Sequence, residues 1–170
     1  MSIEKQDNIR ILVLGAPGSG KSTLTLQLSK ILNIEAIHLD KYYWKPDWVE
    51  TGSHEWARRI KIFLLPDSWI MEGNYMITLA ERIKYSNHII YLDIPIWKSL
   101  YRIILRMIKY RNKIRPDMAS GCNEKLNTQF MQFLLWTIKF HFNYKRTIMD
   151  ILSGKNYKVL KNSTSIDNWI

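Results

Sequence analysis

Eight consecutive residues near the start of the chain have the spacing of a phosphate-binding loop. They read Gly15-Ala16-Pro17-Gly18-Ser19-Gly20-Lys21-Ser22 and match the pattern GxxxxGK[ST] in full. Glycines let the backbone curve so that successive amides face one phosphate, and the following helix start adds partial positive charge. In such a loop the lysine reaches the β- and γ-phosphates and the serine hydroxyl holds Mg²⁺. We therefore expect the triphosphate of ATP to be bound by Gly15, Gly18, Ser19, Gly20, Lys21, Ser22 and Thr23.

Three acidic residues follow apolar runs that have the composition of strands, and a phosphate-binding loop needs one such acid near the magnesium. In small P-loop kinases the third strand lies beside the first, so we assign Glu72, with Ser22, to the metal. Asp40 ends the second run, where a carboxylate can orient or deprotonate an acceptor hydroxyl. A turn or helix cap explains Asp40 equally well. Asp93 precedes Ile94-Pro95, and we interpret it as structural.

The elements that would position these side chains alternate between strand and helix. Short apolar runs predict strands at 9–14, 35–39, 69–71, 88–92 and 157–160, and helical spacing predicts helices at 21–32, 96–110 and 124–152. The last of these is compatible with one long or two shorter helices. This order predicts an α/β fold, a three-layer P-loop fold with a five-stranded parallel sheet, helices on both faces and a helical basic lid. In the helix at 96–110 an apolar stripe comprises Leu100, Tyr101, Ile104, Leu105 and Ile108.

The positive charge is concentrated in the second half of the chain. Residues 96–170 carry 14 basic and 4 acidic side chains, whereas residues 1–95 carry 11 of each, so the second half holds the whole net charge of +10. Such a field attracts polyanions, although a solvated helix face is the more common meaning of a basic run.

The length of 170 residues predicts one domain over 1–170. A lone Cys122, no membrane-length apolar run and no secretory signal predict a soluble cytoplasmic protein.

Several longer segments resemble one particular family. The phosphate-binding loop, "HLDKYYWKPDW", "WIMEGNY", "YLDIP" and the run beginning "RMIKYRNKIRPDMASGC" are similar to the adenylate-kinase-like P-loop proteins called DNA topology modulation proteins. The resemblance covers most of residues 10–145. It implies the fold of a small-molecule kinase and does not supply the phosphate acceptor.

The comparison with adenylate kinases suggests roles for individual residues. Those kinases have an Asp-Gly pair where this chain has Glu72-Gly73, and an Arg-x-x-x-Arg pair that corresponds to Arg102 and Arg106. The resemblance implies that Arg102 lies against the adenine and that Arg106 meets the phosphates as a catalytic residue. Arg111 and Arg115 are candidates for further contacts from a lid at about 106–124. The glycine usual within the kinase pair is absent, so we expect the lid to be a continued helix.

Other candidates concern the acceptor. Tyr42, Tyr43, Trp44 and Trp48 could stack a base or a sugar, or could close the sheet edge as a hydrophobic cluster. Asn74 and Tyr75 are placed to hydrogen-bond the acceptor, or form an ordinary turn. We assign no chemistry to His38. Residues 162–165 lie where related kinases contact the purine ring.

Two functions remain open from the sequence. The first is a Mg-ATP-dependent phosphotransferase that uses Lys21, Asp40 and Arg106 in catalysis on an unknown acceptor. The second is a nucleotide-regulated DNA-binding protein whose basic second half makes weak, non-specific contacts with nucleic acid. The phosphate-binding loop favours the first, and the charge asymmetry keeps the second open.

Overall fold

The computed structural model describes residues 8–161, whose main feature is a parallel sheet with helices on both faces. The strands are β1 Arg10–Gly15, β2 Ala36–His38, β3 Trp44–Lys45, β4 Val49–Glu50, β5 Trp69–Glu72, β6 His88–Leu92 and β7 Lys158–Leu160. The helices are α1 Lys21–Leu32, α2 Leu39–Tyr43, α3 Ser53–Phe63, α4 Met76–Tyr85, α5 Ile96–Lys109, α6 Thr128–Lys139 and α7 Lys145–Leu152. A short 3-10 turn, Pro46–Trp48, separates β3 from β4, and a π-helical turn, Phe140–Tyr144, joins α6 to α7.

The five-stranded sheet has the order β2-β5-β1-β6-β7, and all its pairings are parallel. This confirms the predicted fold class and each of the five predicted strands. Because β5 and β6 flank β1, the segments that follow these strands emerge around the loop at 15–22. The order therefore brings β5's Glu72 close to the phosphate-binding loop, as expected for a third strand beside the first.

Alternation along β1 divides the core between the two faces of the sheet. Leu12 and Leu14 point into a cluster with Trp56 of α3 and Leu79 of α4. Residues Ile11 and Val13 on the other face pack with α1, as the period of two in a strand requires. Apolar contact on both faces accounts for the nearly continuous apolar composition of β1.

Helix α5 packs by a different face from the one that its apolar stripe suggests. Its buried residues are Ser99, Ile103 and Met107. The apolar stripe faces outward, and Tyr101 and Ile108 are 60% and 68% exposed. The helical basic segment ends at Lys109, and residues 110–127 have no further helix, so the lid is not the continued helix that we expected. Across the described residues, no helix has the length and apolar character needed to cross a membrane.

Candidate nucleotide and acceptor site

The phosphate-binding loop joins the central strand β1 to α1 and is packed tightly from behind. A Cβ added at Gly18 would lie 2.4 Å from the carbonyl oxygen of Ser99, in α5. Gly18 also has a φ of +73°, a conformation that side chains rarely adopt. The loop therefore has space for backbone only at this point, and α5 fixes its position.

Lys21 closes the loop from the front. Its Nζ donates to the carbonyl oxygens of Gly15 and Ala16, at 3.0 Å each. Burial lowers the pKa of this ammonium, while the negative charges of Glu72 and Asp40 oppose that effect. The lysine is thus positioned between the loop backbone and two carboxylates, where incoming phosphates would replace the carbonyl partners.

A hydroxyl and a carboxylate meet beside the loop, as the metal assignment requires. The Ser22 hydroxyl donates to Glu72 Oε1 at 2.9 Å, and His38 Nδ1 lies 3.0 Å from the same oxygen. Burial would raise the pKa of Glu72, but the His38 contact and the charge of Lys21 hold it below its usual value. His38, to which we assigned no chemistry from the sequence, therefore orients the Glu72 carboxylate.

The donor set is suited to Mg²⁺, which prefers oxygen ligands and usually keeps phosphate oxygens and water in its coordination shell. Residues 8–161 contain no group of three or more His, Cys, Asp or Glu side chains that could hold a metal ion by themselves. Ser22 and Glu72 therefore fit a magnesium ion that arrives with the nucleotide, and they do not form a closed protein site.

Asp40 and Tyr75, which follow two different strands, meet at the acceptor side. Asp40 lies in the first turn of α2, and its Oδ1 accepts a hydrogen bond from the Tyr75 hydroxyl at 2.6 Å. Burial and the charge of Glu72 raise the pKa of Asp40, whereas the Tyr75 hydrogen bond opposes this. Burial and the charge of Asp40 raise the pKa of Tyr75 far above its ordinary value. The phenol therefore keeps its proton and continues to donate it to Asp40 Oδ1 in a hydrogen bond.

Asn74 has a different partner from the one we expected. Its Nδ2 donates to the Gly15 carbonyl at 2.9 Å, and its Oδ1 accepts from the Gly15 amide at 3.3 Å. The amide therefore connects the turn after β5 to the start of the phosphate-binding loop. Asn74 borders the cavity described below, but both polar atoms of its side chain bind the loop.

A buried arginine in α4 holds this turn, and our sequence interpretation missed it. Arg82 is fully buried and donates to the carbonyl oxygens of Gly73, Asn74 and Tyr75 at 2.7, 2.6 and 3.0 Å. Burial lowers the pKa of Arg82 to about 9. The sequence did contain a signal for the burial of Arg82. Arg82 follows Leu79 by three residues, and residues three apart share one face of a helix, here the buried face of α4.

Three arginines of the second half of the chain line the cavity and differ in what they contact. Arg102 donates to the Ser19 carbonyl at 3.0 Å and so contacts the loop directly. Glu124 Oε1 lies between two others, 3.8 Å from Arg106 Nε and 2.8 Å from Arg115 Nε. Arg115 also contacts Asp117 at 3.3 Å, so acidic residues of the lid hold both arginines over the site.

Arg111 is the predicted lid residue that the structure leaves outside the site. It follows the end of α5, its side chain is exposed, and its backbone pairs with Glu124 in an isolated bridge. The chain turns at this point because Asn112, with a φ of +58°, adopts a left-handed conformation. Arg111 is not among the residues that line the cavity.

All of these elements surround one cavity of about 1210 Å³. Single small-molecule pockets usually measure about 300–1,000 Å³, so this cavity is larger than most of them. Among the described residues, every predicted site residue lines it except Gly15, Ser19, Tyr42 and Arg111. Gly15 and Ser19 are buried within the loop itself.

The aromatic segment is divided between the hydrophobic core and the cavity wall. Tyr42 packs on Phe63 with ring centroids 4.7 Å apart, as part of the hydrophobic core. Trp44 and Trp48 meet edge to face at 5.7 Å and line the cavity. The cluster therefore closes the sheet edge with one end and presents rings to the cavity with the other.

The hairpin at 44–50 is attached to the lid above the cavity. The Asp47 amide donates to the Gly121 carbonyl at 3.3 Å, and Trp48 Nε1 donates to the Asn123 carbonyl at 3.2 Å. The buried Cys122 thiol contacts the Lys45 carbonyl at 3.3 Å. These contacts cover the acceptor side of the cavity.

Comparison with known proteins supports the fold. No family model and no curated protein matches the chain, so the resemblance to DNA topology modulation proteins has no support from either comparison. Shikimate kinase from Bacteroides thetaiotaomicron is 17% identical with a TM-score of 0.51, over 94% of this chain and 92% of its own. Shikimate kinase from Acinetobacter baumannii, solved in complex with shikimate, is 15% identical with a TM-score of 0.54. That match covers 95% of this chain and 88% of the shikimate kinase. The chain therefore has the fold of a P-loop kinase, while residues 162–165, our purine candidates, lie outside the described residues.

Proposed function

We propose that this protein transfers the γ-phosphoryl group of Mg-ATP to a hydroxyl group of a small acceptor. The observation that carries the proposal is the convergence on one cavity of the loop lysine Lys21, the Ser22–Glu72 pair and the Asp40–Tyr75 pair. The two solved structures with this fold are both named as kinases, which supports a kinase here.

On the nucleotide side, the protein supplies position and charge. The loop amides and Lys21 bind the phosphates. Ser22 and Glu72 would hold a magnesium ion, which would neutralise charge on the phosphate oxygens. Arg102 and Arg106 face the same cavity and add positive charge where the transferred group passes. Arg106 is available for this role when a phosphate replaces Glu124 as its partner.

On the acceptor side, Asp40 receives the proton. As the acceptor oxygen forms its bond to the γ-phosphorus, the bond from phosphorus to the β–γ bridging oxygen breaks and ADP leaves. The hydroxyl proton passes to the Asp40 carboxylate, whose raised pKa makes it a better base than an exposed aspartate. Tyr75 holds Oδ1, so we expect the proton at Oδ2.

The test is a screen of nucleosides, nucleotides, sugars, hydroxy acids, amino alcohols and DNA ends, with ADP release from Mg-ATP as the readout. We expect release that depends on an acceptor and on magnesium, and that is lost in Lys21→Ala while circular dichroism remains native. Lys30→Ala, at an exposed position of the same helix, is the matched control and should retain turnover. A folded Lys21→Ala variant with normal turnover would contradict the proposal.

The DNA-binding alternative depends on basic residues outside the cavity. Lys109, Arg111 and Lys113 are exposed, and none of them lines the cavity. They could contact a phosphate backbone without involving the nucleotide site.

A further inference from the structure

The two sides of the cavity carry different charges. The phosphate-binding loop and α5 contribute Lys21, Arg102 and Arg106 to its wall. Within the fully described segment 36–63, the residues that line the cavity are Asp40, Tyr43, Trp44, Asp47, Trp48, Glu50 and Trp56, and none of them is basic. Lys45, a basic residue of the hairpin at 44–50, does not line the cavity and pairs with Glu55 at 3.0 Å. Segment 36–63 thus contributes aromatic rings and carboxylates to the wall, while Arg115 of the lid, which also lines the cavity, is paired with Glu124 and Asp117.

The rings form a continuous wall that begins at the catalytic carboxylate. Tyr75, which holds Asp40, lies with its ring 4.5 Å from that of Tyr43. Tyr43 meets Trp44 at 5.2 Å, and Trp44 meets Trp48 at 5.7 Å. These rings therefore form one continuous wall of the cavity beside Asp40.

The hairpin places a carboxylate beside the exposed indole. Trp44 and Glu50 are directly paired partners in the β3–β4 ladder, so their side chains share one face of the hairpin. Between them, Asp47 and Trp48 both adopt left-handed backbone conformations, with φ of 59° and 62°. Two adjacent non-glycine residues in this region are costly, and such strain is retained mainly at functional positions.

These rings have the exposure of a binding surface. Trp56 and Trp69 are 1% exposed and belong to the hydrophobic core. Trp44 and Trp48 are only half-buried, and Trp136, which also lines the cavity, is 42% exposed. Trp44 and Trp48 therefore keep part of their surface exposed, unlike Trp56, which lines the same cavity but belongs to the core.

We propose, on the basis of the phosphotransferase function above, that the acceptor is an alcohol bearing a positively charged amine, whose ammonium lies against Trp44 and Trp48. Aromatic faces attract cations through the ring quadrupole, and the Glu50 and Asp47 carboxylates add to the attraction. The same carboxylates repel a carboxylate or phosphate on an acceptor. The site thus separates an anion-binding half for ATP from a cation-binding half for the acceptor.

The first test measures binding apart from turnover. Protein saturated with Mg²⁺ and a non-hydrolysable ATP analogue is titrated with choline, with its uncharged isostere 3,3-dimethylbutan-1-ol, and with shikimate, and binding is followed by ligand-observed NMR. We expect choline to bind at least about tenfold more tightly than the isostere. Equal binding of choline and the isostere, or preferential binding of shikimate, would overturn the proposal.

Matched variants locate the site. Trp44→Leu and Glu50→Gln should each weaken choline binding by about fivefold or more, since each removes one component of the attraction. Trp97→Leu is the control, because Trp97 is 64% exposed and does not line the cavity, and it should leave binding unchanged. Equal losses in all three variants would also contradict the site.

The second test uses ADP release with panels of amine-bearing, uncharged and anionic alcohols. Release with amine-bearing alcohols, reduced in Trp44→Leu, supports the proposal. Release only with uncharged or anionic alcohols overturns the amine site and leaves the phosphotransferase proposal intact. Choline binding at Trp44 without release by any panel member would overturn the phosphotransferase and keep the ammonium site.

Discussion

The phosphate side and the acceptor side of the cavity are built in different ways. The phosphate side is one continuous segment between β1 and α1, and most of its expected contacts come from the backbone. The acceptor side combines side chains from the turn after β2, the hairpin at 44–50, the turn after β5 and the lid. A site made from backbone needs a fixed local pattern of residue types, whereas a site made from side chains needs only that distant segments meet.

The two sides also differ in what holds them in place. Gly18 lies against the α5 backbone, so the loop cannot move without displacing a helix. The acceptor side is held by hydrogen bonds between loops and by the ion pairs of Glu124 with Arg106 and Arg115. We therefore expect substitutions on the phosphate side to affect stability and ATP binding together, and those on the acceptor side to affect mainly acceptor binding and turnover.

The largest effect after the loss of Lys21 should follow from Asp40→Asn. An amide cannot accept the hydroxyl proton, and general-base catalysis typically contributes about 10²–10⁴-fold in rate. We expect kcat to fall by that factor while the Kd for Mg-ATP stays within about twofold, measured by steady-state kinetics and calorimetry. Asp150→Asn, at an exposed position of α7, should change neither value. Equal losses in ATP affinity and kcat would instead make Asp40 part of the phosphate side.

Replacing basic residues in pairs compares the cavity with the outer surface. Arg102→Gln with Arg106→Gln should weaken ATP binding or turnover at least about tenfold, because hydrogen bonds to charged groups contribute about 1.5–3 kcal/mol each. Lys109→Gln with Lys113→Gln should have little effect, because both lysines are exposed outside the cavity.

DNA binding measured on the same two variants tests the alternative function. If these residues bind a phosphate backbone, each lost contact should flatten the slope of log affinity against log salt by about one unit. We expect weak DNA binding in every variant. Tight DNA binding that both pairs weaken equally, with unchanged ATP turnover, would contradict the kinase proposal.

A stability effect of intermediate size should follow from Gly18→Ala. The new Cβ would lie 2.4 Å from the Ser99 carbonyl oxygen, and overpacking of this kind typically costs about 1–3 kcal/mol. Gly154→Ala is the control, since it has a similar φ of +77° but open space around its Cβ. We expect Gly18→Ala to lower the free energy of unfolding more than Gly154→Ala does, by urea denaturation. Equal losses would mean that backbone strain alone matters and that α5 does not brace the loop.

The smallest effect concerns the pH dependence of stability at Asp40, in protein without nucleotide or magnesium. Burial and Glu72 raise the pKa of Asp40 in the folded state, above an unfolded value of about 3.9. The stability that protonated Asp40 contributes is therefore fully present below the pKa of the unfolded state. It is lost as the pH rises through the higher pKa of the folded state. Asp40→Asn carries no such proton, so we expect its stability relative to wild type to increase as pH rises from about 4. The reverse trend in urea titrations would show that Lys21 and Arg115 stabilise the carboxylate more than burial destabilises it.

The sequence was informative wherever a local pattern was sufficient. The spacing of Gly15 to Ser22 between an apolar strand and an amphipathic helix predicted the phosphate-binding loop, and the five apolar runs predicted the sheet. The position of Glu72 after a strand predicted its place beside Ser22. These features depend on residues close in sequence or on the regular geometry of parallel strands, which is common to all sheets of this type.

Tertiary structure alone decided which side chains face one another. Nothing in the spacing distinguishes Arg106, which lines the cavity, from Arg111, which does not, because the lid turns at Asn112. The outward orientation of the α5 stripe follows from contact with the loop through Ser99 and Ile103. The charge partition of the cavity likewise depends on contacts between segments more than 70 residues apart, such as that of Trp48 with Asn123. Such contacts leave no periodic signal in a single sequence, because their free energy depends on the folded positions of both partners.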